Sequence, residues 1–314
     1  MSGFVRSLRA TTTPVLAYGE NGTDNHATSA IGHALAPADT ANLAAWGSAF
    51  GSWGSTDGDG NAAGLDRSVG GFFTGIDGQV AENVRLGIMT GYSHTNFDVD
   101  GRSSSGESDN YHLGIYAGSQ MGALGLRAGA AYTWHDISTS RSVAFPGFAD
   151  SLTADYNAGT FQAFGEAGYR IDTASASFEP FANLAYVNLH TDGFTEKGGA
   201  GALHADGQTT DTTFTTLGVR ASTTFDLGGM KATARGMIGW RHAFGGTTPL
   251  ASLAFSGGSP FAIAGVPIAK DTAVLEAGLD FAISDNATLG ISYAGQIGSH
   301  TRDNGAKANL SVRF

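Results

Sequence analysis

From about residue 43 onward, apolar and polar residues alternate with a period of two in one segment after another. Ala273, Leu275, Ala277, Leu279, Phe281 and Ile283 share one face of 273–283, and Val274, Glu276, Gly278, Asp280 and Ala282 share the other. Leu289, Ile291, Tyr293 and Ile297 oppose Thr288, Ser292 and Gln296. The last segment opposes Ala308, Leu310, Val312 and Phe314 to Lys307, Asn309, Ser311 and Arg313. Side chains that alternate between two faces give this pattern in a strand and not in a helix. The same rhythm runs through the segments that begin near Val84, Leu124, Ala163, Leu217 and Ala232. In 43–53, 66–77 and 178–190 the phase is ambiguous and no face is assigned. The count comes to about twelve strands.

The connections carry a second, independent signal. Stretches at 54–66, 98–107, 140–155, 192–211, 245–271 and 298–304 are long or polar, whereas those at 78–83, 121–123, 173–177, 227–229 and 284–287 are short. Long and short alternate along the chain, as in an up-and-down membrane barrel with short periplasmic turns and longer external loops. The expected fold is therefore all-β: a twelve-stranded antiparallel transmembrane β-barrel. One face of the strands is aliphatic, with Tyr92, Tyr132, Trp134, Tyr169, Trp240, Tyr293 and Phe314 near segment ends, where interfacial girdles sit. The other face collects Arg85, Arg127, Glu166, Arg170, Arg220, Arg235, Arg241, Glu276 and Asp280, which would line the lumen. A one-residue slip would place such charges in lipid, at about 2–4 kcal/mol for each Arg or Lys near mid-membrane.

Composition narrows the classes. The 314 residues include no Cys, which excludes disulfide frameworks, thiolate metal sites and Cys nucleophiles. Charged residues make up 14% of the chain, against roughly 25% in soluble domains. The net charge of -11 argues against nucleic-acid binding, which depends on clustered Lys and Arg. No run approaches the ~20 apolar residues of a spanning helix, and Pro249, Pro260 and Pro267 make the uncharged stretch 243–269 a loop. Residues 1–42 lack the strand pattern and form a separate region: a leader, a passenger remnant or a linker. Ala27, Ala30, Ile31, Ala34 and Leu35 fall at helical spacing before Pro37, so a short lumen-plugging helix over 27–36 is one reading and a flexible leader the other. No secretory signal peptide is evident at Met1–Gly19, which implies a fragment, a processed form or a misassigned start.

Residues 43–314 resemble the C-terminal translocator domain of type V autotransporters. The resemblance runs from Ala45-Trp46-Gly47 and Phe50-Gly51 through Asn83-Val84-Arg85-Leu86-Gly87, Gly91-Tyr92-Ser93 and Tyr111-His112-Leu113-Gly114-Ile115-Tyr116. It continues in Glu179-Pro180-Phe181-Ala182, Ala185-Tyr186-Val187, Phe194-Thr195-Glu196 and Leu217-Gly218-Val219-Arg220. Ile268-Ala269 before Ala277-Gly278-Leu279, and the terminal Leu310-Ser311-Val312-Arg313-Phe314, complete it. The resemblance implies a monomeric barrel in the outer membrane of a Gram-negative bacterium, in contact with its lipid and joined to a passenger upstream. It also implies that Leu310, Val312 and Phe314 form the signal read by the barrel-assembly machinery. Some members cleave between two adjacent asparagines, a pair this chain does not contain.

Catalytic motifs are missing from the sequence: there is no Gly-x-Ser-x-Gly elbow, no phosphate-binding loop and no His-Glu-x-x-His. Asp57, Asp59 and Asn61 imitate the start of a calcium loop, but Ala62 replaces the turn glycine and Ser68 the closing acid, so a polar external loop is preferred. The buried charges read as salt bridges that stiffen a wet lumen. No enzyme, cofactor or metal is expected. The leading reading is a translocator that carries an N-terminally attached segment to the cell surface, with residues 20–42 threading a lumen whose mixed-sign, glycine-rich lining offers no sticky apolar surface. The alternatives are a free-standing pore for ions or small solutes, a surface adhesin acting through 192–211 and 245–271, and, last, a soluble β protein.

Overall fold

The computed structural model describes residues 43–59, 62–245 and 247–314. The expectations for residues 1–42, including the helix at 27–36, lie outside the described residues, as does Asn61 of the imitated calcium loop.

Twelve strands form one closed antiparallel sheet. They are β1 (Leu43–Thr56), β2 (Leu65–Ala81), β3 (Val84–Val99), β4 (Ser104–Met121), β5 (Leu124–Phe145) and β6 (Phe148–Tyr169). The remainder are β7 (Ser177–Thr191), β8 (Gln208–Leu227), β9 (Met230–Phe244), β10 (Asp271–Ala282), β11 (Ala287–Gly298) and β12 (Thr301–Arg313). Each pairs with the next. β12 returns to β1 in register, from Ala44 opposite Arg313 to Thr56 opposite Thr301. Closure leaves no unpaired edge, the condition for a sheet that crosses a bilayer.

The connections at one end are tight. Gly122 at φ 61° followed by Ala123 fits a type II′ turn, and Gly228 and Gly229 at 64° and 93° fit type I′, the turns that match strand twist. At the opposite end the strands run farther than the sequence predicts. The stretch 140–155 is no loop: β5 and β6 stay paired up to Phe145 opposite Phe148, whose rings stack at 4.8 Å. The stretch 98–107 contracts to 100–103, and 298–304 to Ser299 and His300. Above the membrane the outward face of a strand meets water instead of lipid, so the apolar alternation fades while the backbone ladder persists, with Leu152 and Ala154 still buried on the inward face.

The two longest expected loops also contain strands. Phe194–Thr195 and Leu203–Ala205, from the β7–β8 connection, join Leu250–Phe255 and Phe261–Ala264, from the β9–β10 connection, in a second four-stranded sheet. Arg141 on β5 ties this cap down by donating to Glu196 and to the Gly201 carbonyl, and the Gly201 amide donates to Asp150 on β6 at 2.7 Å.

The outer face carries Leu86, Ile88, Leu113, Ile115, Leu126, Leu184, Leu217, Ile238, Leu275, Leu289 and Ile291, all exposed. Tyr132, Trp134, Tyr169, Trp240, Tyr293 and Phe314 are exposed on the same face, with Tyr92 half-buried among them. Trp134 lies opposite Gly159 on β6, ten residues from Tyr169 at the short-turn end. With a rise of about 3.3 Å per residue and a tilt of about 40°, those aromatics sit about 25 Å apart, the height of an outer-membrane apolar band.

Candidate functional site

The inward face divides into three zones. Charged clusters lie near the short-turn end. Glu166 on β6 accepts from Arg127 on β5 at 2.7 Å and from both terminal nitrogens of Arg220 on β8 at 2.8 and 2.7 Å. Glu179 on β7 bridges the same two guanidinium groups at 2.8 and 3.1 Å, and Arg220 also lies 3.7 Å over the Phe181 ring. Two cations and two carboxylates thus cancel across four strands, with Glu166 fully covered. A second cluster joins Arg235 on β9 to Glu276 and Asp280 on β10. In a third, Arg85 donates to Asp77 at 2.7 Å, Tyr116 donates to the same carboxylate at 3.0 Å, and Trp46 Nε1 donates to the Tyr116 hydroxyl at 2.7 Å.

An apolar arc spans β1 to β7. Trp46, Phe50, Val69, Phe73, Met89, Tyr116, Ala131, Phe164 and Ala185 form one buried cluster, with Phe50 and Phe73 stacked at 5.3 Å. The expected lining without apolar surface is corrected here: one side of the lumen is aromatic and aliphatic. The rings lie on glycines of neighbouring strands. A Cβ at Gly87 would fall 2.2 Å from the Tyr116 ring, one at Gly91 2.3 Å from Phe73, and one at Gly129 2.6 Å from Phe164.

Toward the long-hairpin end lies an uncharged polar array. His135 Nδ1 meets Asn110 Oδ1 at 2.6 Å and its Nε2 meets Thr160 at 2.8 Å. Asn110 donates to Ser93 and Thr95, and His112 joins Ser93 at 3.0 Å to Thr133 at 2.9 Å.

Of the nine charges expected in the lumen, Arg85, Arg127, Glu166, Arg220, Arg235, Arg241, Glu276 and Asp280 are buried on the inward face. Arg241 is held by Gln296 at 2.6 Å and Thr216 at 3.4 Å, and its Nη2 makes no hydrogen bond among the described residues. Arg170 departs from the expectation. It lies one residue past β6 and donates to Asp172 at 2.8 Å and Ser177 at 2.9 Å in the turn, because its long side chain reaches the rim rather than the axis. There the Ser177 hydroxyl, and after it Arg170, hold the Asp172 carboxyl below the usual carboxylate range.

Sequence reasoning missed Asp77, Glu179, Arg67 and Asp303. Arg67 and Asp303 form an ion pair nearer the long-hairpin end. Asp77, Glu179 and Arg67 sit within or beside the segments of ambiguous phase. Those segments place Trp46, Phe50, Val69, Phe73, Phe181, Ala185 and Val187 inward while Phe72, Ile76, Leu184 and Tyr186 face outward, so both parities are apolar. A repeated outer device was also missed. Asp109 accepts from Tyr92 and contacts His94, Asp211 accepts from Tyr186 and Asn188, and Asp271 accepts from Trp240 and contacts His242, all at 2.5–2.9 Å. An aromatic and a polar residue two positions apart, facing an Asp on the next strand, would have been the signal.

Leu43 and Phe314 meet at the short-turn end, where the Phe314 amide donates to the Leu43 carbonyl at 3.0 Å. Leu310 and Phe314 are exposed and Val312 is half-buried on the outward face of β12.

The family model of the autotransporter β-domain matches residues 45–294. The chain belongs to that family. As an autotransporter β-domain it is a barrel of the bacterial outer membrane and not a catalytic unit. It is 42% identical over 271 residues, 86% of its length, to an extracellular serine protease of Serratia marcescens, and spans 26% of that relative. The barrel superposes on the translocator domain of the autotransporter NalP from Neisseria meningitidis with a TM-score of 0.75, at 17% identity, covering 91% of this chain and 92% of that one. For the β-domain of the Bordetella autotransporter BrkA the TM-score is 0.65 at 19% identity, covering 87% and 100%.

Proposed function

We propose that this β-domain exports a covalently linked N-terminal passenger, with residues 20–42 passing through its lumen. The observation that carries this reading is the position of Leu43 beside Phe314 at the short-turn end. That end faces the periplasm in a barrel of this kind, so any polypeptide ahead of Leu43 that reaches the cell surface must travel the height of the barrel. The lumen supports the same reading. The paired charges leave little net field to trap a chain, and the apolar arc over β1 to β7 gives an amphipathic stretch such as Ala27, Ile31, Ala34 and Leu35 a wall to lie against. A barrel of this width takes an extended chain or one helix of about 10–12 Å diameter, so a passenger crosses unfolded.

Leu310, Val312 and Phe314 supply alternating apolar groups and a terminal aromatic for the assembly machinery, and the barrel works as a monomer embedded in outer-membrane lipid. Apart from Arg241, which is held by Gln296 and Thr216, the buried lumen charges act as stiffening pairs rather than as a reactive centre.

A surface-display experiment tests the proposal. The full chain is expressed in a Gram-negative host behind a secretory signal and an epitope tag placed ahead of Ser2, and intact cells are treated with protease. The tag should lie outside and be shaved. A correctly inserted barrel whose tag stays in the periplasm would refute export and favour a free-standing pore. Deleting residues 20–42 should raise pore conductance, and an unchanged conductance would refute threading.

A further inference from the structure

The mouth of the barrel holds a chamber that the translocation reading does not use. It has a volume of about 850 Å³, and its walls come from nearly every long connection: Leu65, Val99, Val143, Leu253, Ile263 and Val266 contribute apolar side chains. Arg141, among its lining residues, is committed to Glu196 and to the Gly201 carbonyl. The volume lies in the range of about 300–1,000 Å³ that holds a compact apolar ligand. Apolar walls on the water-facing side of a membrane protein mark a docking surface.

Chain length and sequence name an occupant. Of the two five-residue apolar runs ahead of Leu43, Pro14-Val15-Leu16-Ala17-Tyr18 carries the larger side chains. The other, Ala34-Leu35-Ala36-Pro37-Ala38, is mostly alanine and lies too close to β1 to reach the mouth. Residues 19–42 separate Pro14–Tyr18 from β1; those 24 residues reach about 36 Å as a helix and about 79 Å extended. Measured from the short-turn end, Thr56 on β1 stands about 33 Å up and Val143 on β5 about 48 Å up, at the same rise and tilt used above. The chamber therefore lies within reach of the apolar run. Charge agrees in balance: Arg6 and Arg9 precede the run, and the loops around the mouth carry Asp57, Asp59, Asp100, Asp192, Glu196 and Asp206 against Arg102, Lys197 and Lys270.

We propose that Pro14–Tyr18 docks in the mouth chamber after the chain has passed the lumen, holding the emerging segment against the cap. This rests on residues 20–42 threading the barrel, and the test separates the two. The chain has no native cysteine, so pairs can be placed cleanly in the full-length, membrane-inserted protein and joined with a bifunctional maleimide. Leu16→Cys with Ile263→Cys reports docking. Ile31→Cys with Ala131→Cys reports threading.

Joining of both pairs supports docking on a threaded chain. Joining of the lumen pair alone overturns docking and leaves threading intact. Joining of neither overturns threading and docking together, whereas joining of the mouth pair alone supports docking, since the chain reaches the mouth only through the barrel, and places Ile31 away from the Ala131 wall. Val15→Asp in the mouth pair should lower its yield about tenfold or more by removing a buried apolar contact, while Thr12→Asp should leave it unchanged. Equal yield with Val15→Asp would overturn docking by apolar contact.

Discussion

Glu166 offers the sharpest test of how the lumen is held. Its carboxylate is fully covered and receives three hydrogen bonds of 2.7–2.8 Å from Arg127 and Arg220. Glu166→Gln preserves the shape but removes the charge and replaces one acceptor by a donor, leaving two buried guanidinium groups with Glu179 as their shared carboxylate. Breaking a buried pair from one side costs about 3–5 kcal/mol, chiefly because the surviving charge stays out of water uncompensated. The side chain of Glu179 is 12% exposed and within 2.8 and 3.1 Å of the two cations, so it recovers part of that, and we expect a loss of about 3 kcal/mol. The double variant Glu166→Gln, Arg127→Gln removes the orphaned charge as well. It should be about 1–3 kcal/mol more stable than the sum of the single losses predicts. Reversible urea unfolding in lipid vesicles, followed by tryptophan fluorescence and by the gel mobility of the folded barrel, measures both. A Glu166→Gln barrel within 1 kcal/mol of the parent, or a double variant showing no coupling, would refute the account of the cluster.

Three more outcomes follow from the same geometry. Ile115→Arg places a cation on the outward face at mid-height, where Ile115 is 62% exposed, and should cost about 2–4 kcal/mol in the same unfolding assay; an effect near zero would mean that this face does not meet lipid. Gly87→Ala would drive a methyl into the Tyr116 ring and strain its link between Trp46 and Asp77, at about 1–3 kcal/mol, and the loss should shrink when Tyr116→Leu is added; undiminished damage in the double variant would refute a steric cause. Phe314→Ala should leave the stability of the purified barrel within about 0.5 kcal/mol yet lower the amount assembled in the outer membrane, and equal assembly would refute a signalling role for the terminal ring.

The legible part of this fold was the part with two unlike surroundings. Around Leu126, Ala128, Ala130, Tyr132 and Trp134 on β5, lipid selects apolar groups on one side while the lumen selects Arg127, Thr133 and His135 on the other, so parity reads directly from the sequence. Where the lumen itself is apolar the signal vanishes. Phe72 and Phe73 are neighbours in sequence, one 52% exposed to the membrane and one 1% exposed inside, and no pattern of hydrophobicity separates them. The same ambiguity hid Asp77 and Glu179, although their charged partners Arg85, Arg127 and Arg220 were legible as lumen-lining. Beyond the membrane the failure is of another kind. The outward faces of the β5–β6 hairpin and the cap strands meet water instead of lipid, and backbone pairing there is set by register and turn chemistry, as at Pro146-Gly147 with Gly147 at φ 88°.

The high glycine count acquires a cause in this light. Only some of the 47 glycines serve turns. Others make floor space for rings: Trp46 over Gly75, Tyr116 over Gly87, Phe73 over Gly91, Phe164 over Gly129 and Phe181 over Gly218, each leaving less than 3 Å for an added Cβ. A ring laid flat on a neighbouring strand is buried without standing out into the lumen. The wall can then be apolar over β1 to β7, stabilised by that burial, while remaining low in relief. A passing polypeptide would meet ring faces held low on the wall, which give an apolar side chain a surface to lie on but no pocket to trap it, and charges mostly neutralised by partners. The stiffness needed to keep a passage open and the weak adhesion needed to let a chain slide therefore come from the same residues, and any substitution that lifts a ring off its glycine should impair both.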